Sequence, residues 1–245
     1  MNDDVLICMG KKAVVLLSGG LDSSVTAYIA KEEGFNLSAL TILYGQQHEK
    51  EILAAKKIAH SLSISDHVLF NLNLSQFGGS SLFKTSDQQI KQPANISEIG
   101  KHIPDTYVPG RNTVFLSLAL SFAETRDAHA IFTGVTAMDY SGYPDCRPEY
   151  IHAFQQLTNV ATKKTVSGHP ISIETPLIRL NKADIITKGK ELSVPFEYTW
   201  SCYIGREKAC GKCDSCQLRL QGFQQAGIID PVSYETVPEW YNQQK

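Results

Sequence analysis

The chain has 245 residues, 42% of them hydrophobic, with 23 lysines and arginines against 25 acidic residues and a formal charge of −2. That length holds one large α/β body plus an appendage with a substantial core, while the near-neutral balance supplies no basic field and disfavours nucleic acid as the main substrate. No apolar run approaches a bilayer span, and Met1-Asn2-Asp3-Asp4 lacks the basic start of a secretory signal, so a cytoplasmic protein with no membrane partner is expected.

Ala13–Leu17 has the aliphatic composition of a strand buried on both faces and stops at Ser18-Gly19-Gly20. Asp22, Ser23 and Ser24 then start a helix whose apolar pattern runs from Val25 towards Gly34. Strand, tight loop and helix in that order leave the first helical amides unpartnered and aim the positive end of the dipole at the loop, a setting for polyphosphate. The expected nucleotide cradle is Leu17, Ser18, Gly19, Gly20, Leu21, Asp22, Ser23, Ser24, Val25, Thr26 and Ala27. Its glycines admit phosphate oxygens to the backbone and its serines add hydroxyl donors. Asp22 either positions a magnesium ion or caps the helix.

The loop is neither Gly-x-x-x-x-Gly-Lys-Ser/Thr nor Gly-x-Gly-x-x-Gly. Ser18-Gly19-Gly20-Leu21-Asp22-Ser23 instead resembles the Ser-Gly-Gly-x-Asp-Ser signature of the PP-loop ATP pyrophosphatases. That resemblance implies ATP bound by its β,γ-pyrophosphate, which leaves as a substrate is adenylated.

A second strand over Leu37–Tyr44, a helix from Glu49 to Ser61 and a third strand over His67–Leu72 complete a β-α-β-α-β run. The fold class is therefore α/β, a doubly wound parallel sheet with ligand at the carboxyl ends of its strands. His48 falls at that edge and either reaches substrate or is a solvated or capping side chain. From Ser75 to Tyr107 periodicity fades, as in a substrate lid or a variable insertion. Asn112 is expected to cap a buried helix over Thr113–Glu124. Arg111 before it offers a rigid fork to a phosphate or carboxylate, or else makes an interdomain ion pair.

A fourth strand, His129–Val135, delivers a loop that holds Asp139, Tyr140, Tyr143, Asp145, Cys146, Arg147 and Glu149 within eleven positions. A helix over Ile151–Lys163, a short strand near Ile171–Glu174 and an Asn181-capped helix over Lys182–Leu192 follow. Lys182 sits where the dipole disfavours a cation, so it either answers a ligand anion or is simply solvated.

Four of the six cysteines, Cys202, Cys210, Cys213 and Cys216, crowd into fifteen residues. Without an oxidising compartment they predict a closed tetrahedral zinc shell of structural kind, with an iron–sulfur cluster as the rival. We expect a body over 1–196 and a four-cysteine subdomain with tail over 197–245.

Taken together, the loop, Tyr44-Gly45-Gln46-x-His48, Val108-Pro109-Gly110-Arg111-Asn112, Asp139-Tyr140-Ser141-Gly142-Tyr143-Pro144-Asp145-Cys146-Arg147 and the four late cysteines resemble the 7-cyano-7-deazaguanine synthase family of the queuosine pathway. Gln47 departs from it, since the family pattern has arginine there. The resemblance implies an adenine nucleotide alpha hydrolase-like fold, a zinc-containing cytosolic enzyme, often a homodimer, and conversion of 7-carboxy-7-deazaguanine to the nitrile with ammonia and ATP. A carboxylate on an electron-rich ring is a poor acyl donor, so adenylation must make one oxygen a leaving group and ammonia then gives an amide. Reaching the nitrile needs a second activation: two ATP, AMP as product and magnesium on the phosphates.

Asp22, Arg111 and Lys182 are the expected catalytic residues, and His48, Asp139, Tyr143, Asp145 and Arg147 the expected substrate contacts. Asp145, Asp139 or Glu149 would read the adjacent N–H donors of the base. Tyr140 and Tyr143 are available for stacking, and Arg147 for the substrate carboxylate. Cys146 is either a nucleophile or a packing residue, with direct attack on an acyl-adenylate preferred. The rivals are a PP-loop enzyme that inserts sulfur into a tRNA base and a zinc-knuckle nucleic-acid adaptor using Arg206, Lys208, Lys212 and Arg219.

Overall fold

Alternation along the first strand sets the architecture. In β1 (Lys12–Leu16) and the residue after it, Ala13, Val15 and Leu17 face one apolar layer while Val14 faces another, so both sides of the sheet need cover. The computed structural model describes residues 10–45, 50–83, 102–138, 143–204 and 207–241, with positions 90, 96 and 99. It places β1, β2 (Asn36–Leu43), β3 (His67–Asn71), β4 (Ala130–Phe132) and β5 (Ser172–Glu174) in one sheet of order β3-β2-β1-β4-β5. All four pairings are parallel; Leu16 stands opposite Leu40, and Val15 opposite both Ala39 and Phe132.

Helices α1 (Leu21–Glu32) and α2 (Lys50–Ser61) cover one face with Ala27, Ala30, Ala55, Ile58 and Ala59, whose small side chains bring helix close to sheet. Helices α3 (Arg111–Thr125) and α4 (Pro148–Ala161) cover the other through Leu116, Ala119, Leu120, Ile151 and Phe154. The chain leaves β1 towards β2 on one side and returns to β4 on the other. The topological switch therefore lies between β1 and β4, and the crevice opens there at the carboxyl edge.

Several boundaries differ from expectation for local reasons. Helix α3 starts at Arg111, with Gly110 in the left-handed region as its N-cap, so Asn112 lies inside the first turn instead of capping it. Nor is α3 buried all round: Thr113, Ser117, Ser121 and Thr125 form an exposed stripe at four-residue spacing. The helix expected over Ile151–Lys163 breaks at Thr162, whose extended backbone and hydroxyl cap the short α5 (Lys163–Val166). Asn181 caps α6 (Lys182–Glu191) as expected, reciprocally with Asp184. Within the stretch read as lid or insertion, Leu82 and Phe83 are anchored in the core, and Ser81 N–H donates to Asp105 O at 2.9 Å.

The last helix, α7 (Asp214–Gln225), packs on α6, which in turn packs on α1, and Phe223, Ile185, Ile186 and Val25 share one apolar cluster. Its Arg219, 3% exposed, forks onto Asp230 at 2.7 and 2.9 Å and also donates to Thr199 Oγ1 and Phe196 O. Asp230 in turn accepts from Tyr234 and from the Val232 amide, so one buried ion pair ties α7, the 196–201 segment and the tail together. Among the described residues no helix is long and apolar enough to cross a membrane.

Candidate active site and cysteine knuckle

A cavity of about 300 Å³ sits at the switch point, bounded by the ends of β1, β2 and β4 and by the 200–203 and 215–219 segments. On one side lies the loop Leu17–Gly20. Gly19 has φ +81, and a Cβ there would stand 2.4 Å from Glu51 O and 2.5 Å from Ala55 N, so only glycine lets the loop lie on α2. The Trp200 amide donates to Gly19 O at 2.9 Å, fastening the loop from the C-terminal side.

Serines shape the turn from within. Ser23 Oγ accepts from the Ser18 amide at 3.2 Å and meets Ser18 Oγ at 3.0 Å, while Ser24 Oγ donates to Gly20 O at 2.8 Å. Gly20 is the N-cap of α1 and no side chain caps that helix, so neither Asp22 nor Ser23 serves the capping role considered for them. The first amides of α1 remain presented to an anion at the positive end of the dipole.

Asp22 reaches across to Lys182 instead, which donates to both carboxylate oxygens at 2.7 and 2.8 Å. The lysine is only 14% exposed at its side chain and both groups line the cavity. The anion that answers a cation at the start of α6 is thus Asp22 of the chain itself.

Arg111 enters from the far wall, half-buried. Burial opposes its charge, but the oxygens of Tyr44, Tyr143 and Tyr203 around it, with a hydrogen bond that Arg111 donates to the Tyr44 oxygen, more than offset this and raise its pKa above the ordinary arginine value. Burial also raises the Tyr44 and Tyr143 phenols, which stay neutral. Among the described residues no carboxylate pairs with Arg111, so the interdomain ion pair considered for it is not formed.

Asp145 has a different task from the one expected. It is buried outside the cavity lining, where Oδ2 accepts from the Asn112 amide at 3.0 Å and its carbonyl from Asn112 Nδ2 at 3.1 Å, so it caps the start of α3. Arg147 is exposed and does not line the cavity. Tyr143 and Cys146 do; burial pushes the Cys146 thiol up to about 11, and Asn112 Nδ2 lies 3.2 Å from its sulfur. His48, Asp139 and Tyr140 lie outside the described residues.

Glu51, Trp200 and Tyr203 are among the cavity residues that were not singled out from sequence. Glu51 has a signal in hindsight, an acidic residue in the first turn of a helix that starts at the ligand edge. Trp200 and Tyr203 flank a cysteine, which gives no hint that the segment doubles back over the loop.

Cys202, Cys210, Cys213 and Cys216 are buried with their sulfurs all within 4.8 Å of one another. A tetrahedral ion roughly 2.3 Å from each sulfur sets sulfur–sulfur edges of about 3.8 Å; those of Cys210 and Cys216 are 3.9 Å apart. Amides of Ile204 and Cys210 point at the Cys202 sulfur, and those of Lys212 and Cys213 at the Cys210 sulfur, as suits thiolates. Gly211 has φ +73 and a Cβ there would fall 1.7 Å from Thr236 O, so the tail seals the turn. Arg219, counted among the cations of a nucleic-acid knuckle, is turned inward to Asp230.

A family model for the queuosine biosynthesis protein QueC matches residues 12–227, a span that takes in the loop, Arg111, Lys182 and all four cysteines. The chain belongs to the QueC family. The 7-cyano-7-deazaguanine synthase of Citrifermentans bemidjiense is 52% identical over 229 residues, covering 93% of this chain and 99% of that protein. The 7-cyano-7-deazaguanine synthase of Oceanobacillus iheyensis is 50% identical over 226 residues, 92% and 99% of the two chains. In this QueC family member, then, the loop, the Asp22–Lys182 pair, Arg111 and Tyr143 share one cavity, while Asp145 supports its wall from behind.

Proposed function

We propose that this chain is a carbon–nitrogen ligase that converts 7-carboxy-7-deazaguanine and ammonia to 7-cyano-7-deazaguanine at the expense of ATP. The observation that carries the reading is one cavity holding an uncapped helix start, a half-buried arginine with no carboxylate partner among the described residues and a lysine drawn to the loop, in a chain related over nearly its whole length to synthases of that name. A charge withdrawn from water like that of Arg111 is unfavourable until a counter-charge arrives with the ligand.

The α1 amides and the Ser18 and Ser23 hydroxyls receive the β,γ-phosphates. Arg111 faces the α-phosphate or the substrate carboxylate as one oxygen of that carboxylate attacks phosphorus, and Lys182 neutralises charge building on the departing pyrophosphate. Magnesium, carried by the nucleotide, shields the phosphates; Asp22 and Glu51 are the cavity carboxylates available to it. Ammonia displaces AMP to give the amide, and the amide oxygen is removed through a second adenylation. Burial raises the Cys146 thiol and disfavours the thiolate, so Cys146 is read as packing beside this chemistry, with direct attack on the acyl-adenylate preferred. With Asp145 committed to Asn112 and Glu149 exposed outside the cavity lining, the base edge falls to Asp139 or Glu51, and Tyr143 offers the ring face.

We assign zinc to the four cysteines. Four sulfurs in a shell sized for one ion suit a closed structural site, and the wider frame of an iron–sulfur cluster does not fit it. Residues 197–245 then form a subdomain held by the metal and the Arg219–Asp230 pair, in a cytoplasmic homodimer. The test is pyrophosphate release by the purified protein. It should require both the deazaguanine acid and ammonium for full turnover and yield AMP; ADP and inorganic phosphate alone would defeat the reading.

A further inference from the structure

Helix α7 carries a glycine in its middle, Gly222, where glycine is a poor helix former and calls for a packing reason. The reason lies on α6. A Cβ added at Gly222 would stand 2.4 Å from Cγ and 2.9 Å from Cβ of Lys182, and 2.9 Å from Cδ1 of Ile186. The clash falls on the near end of the lysine side chain, not on its mobile tip. Swinging the ammonium aside would not relieve it: Cβ is fixed to the α6 backbone, so the lysine stem would have to turn away and the two helices part.

The same lysine places its ammonium 2.7 Å from Asp22 at the phosphate loop. A lysine has four rotatable bonds and holds one direction only when its stem is confined. Helix α7 is suited to confine it. It starts at the knuckle with Cys213 and Cys216, is fixed by Arg219 on Asp230, and is braced by Phe223 edge-on to Phe196 at 5.3 Å.

We propose that Gly222 is a positioning residue for Lys182: the bare backbone at 222 lets α7 lie against the lysine stem and hold its ammonium at the pyrophosphate site. The inference rests on the reading of Lys182 as a pyrophosphate contact, and it makes the cysteine-bearing helix part of the catalytic apparatus as well as a structural clasp.

The test is a double-mutant cycle read by calorimetric binding of magnesium pyrophosphate and by thermal unfolding of the full chain. Lys182→Met keeps Cβ and Cγ, the atoms that face Gly222, and removes the ammonium. Gly222→Ala should weaken pyrophosphate binding roughly tenfold or more, the scale of one charge-assisted hydrogen bond. In the Lys182→Met background it should weaken binding no further, while lowering the unfolding midpoint by the same amount in both backgrounds. Wild-type affinity in Gly222→Ala, or an equal loss of affinity in both backgrounds, overturns the proposal. Should Lys182→Met alone bind pyrophosphate at wild-type strength, the reading of Lys182 falls and this inference with it. If Gly222→Ala does not fold, the Gly222→Ala/Ile186→Val pair removes the Cδ1 contact, keeps the one with Lys182 and is judged by the same outcomes.

Discussion

Arg111 stands half-buried among Tyr44, Tyr143 and Tyr203, and its compensating charge is assigned to the ligand. Arg111→Met should therefore hold or raise the unfolding midpoint, because an apolar chain replaces an uncompensated charge, while pyrophosphate release falls by about a hundredfold or more. Turnover within a few-fold of wild type would exclude a role for it. Cys146 behaves oppositely. Its thiol, ordinarily near 9.0, is raised by burial to about 11. The folded form keeps the proton that the unfolded form gives up first, so its stabilising contribution is complete below about pH 9 and is lost as pH rises through about 11. Alkylation by iodoacetamide should be slow at pH 7 and accelerate across that window, and Cys146→Ser should keep most of the activity. Rapid labelling at pH 7 would reopen the covalent route.

At the scale of elements, the strand, glycine turn and helix from Lys12 to Glu32 were legible because all the information is local: an aliphatic run, a break and a helix start. The four-cysteine cluster was legible for the same reason. Asp145 was not, because its partner is the Asn112 amide thirty-three residues away and nothing in a loop rich in acids marks the one that turns inward. Arg219 and Asp230 were missed likewise: a charged pair on and beyond a short helix reads as surface until the tail folds back. That pair supplies a sharp prediction. Asp230→Ala should lower stability by about 3–5 kcal/mol in denaturant titration by stranding the Arg219 charge, and Arg219→Met/Asp230→Leu should recover most of it. A loss of under about 1 kcal/mol for the single change would mean the charge finds water.

For the molecule as a whole, the switch point between β1 and β4 sets where the cavity opens, and the cysteine-bearing tail closes that crevice through Trp200, Tyr203 and Lys182 packed on Gly222. Removing the metal should accordingly act at both ends. A strong chelator is expected to lower the unfolding midpoint and to release about one zinc per chain, and a preparation that is brown and rich in iron would count against the assignment. The central claim, that a substrate carboxylate is adenylated over the loop between β1 and α1, has one direct test. The deazaguanine acid labelled with oxygen-18 in its carboxyl group, turned over with ATP and ammonium, should pass label into the phosphate of AMP and leave pyrophosphate unlabelled. Label found in inorganic phosphate, or AMP formed without label, would contradict it.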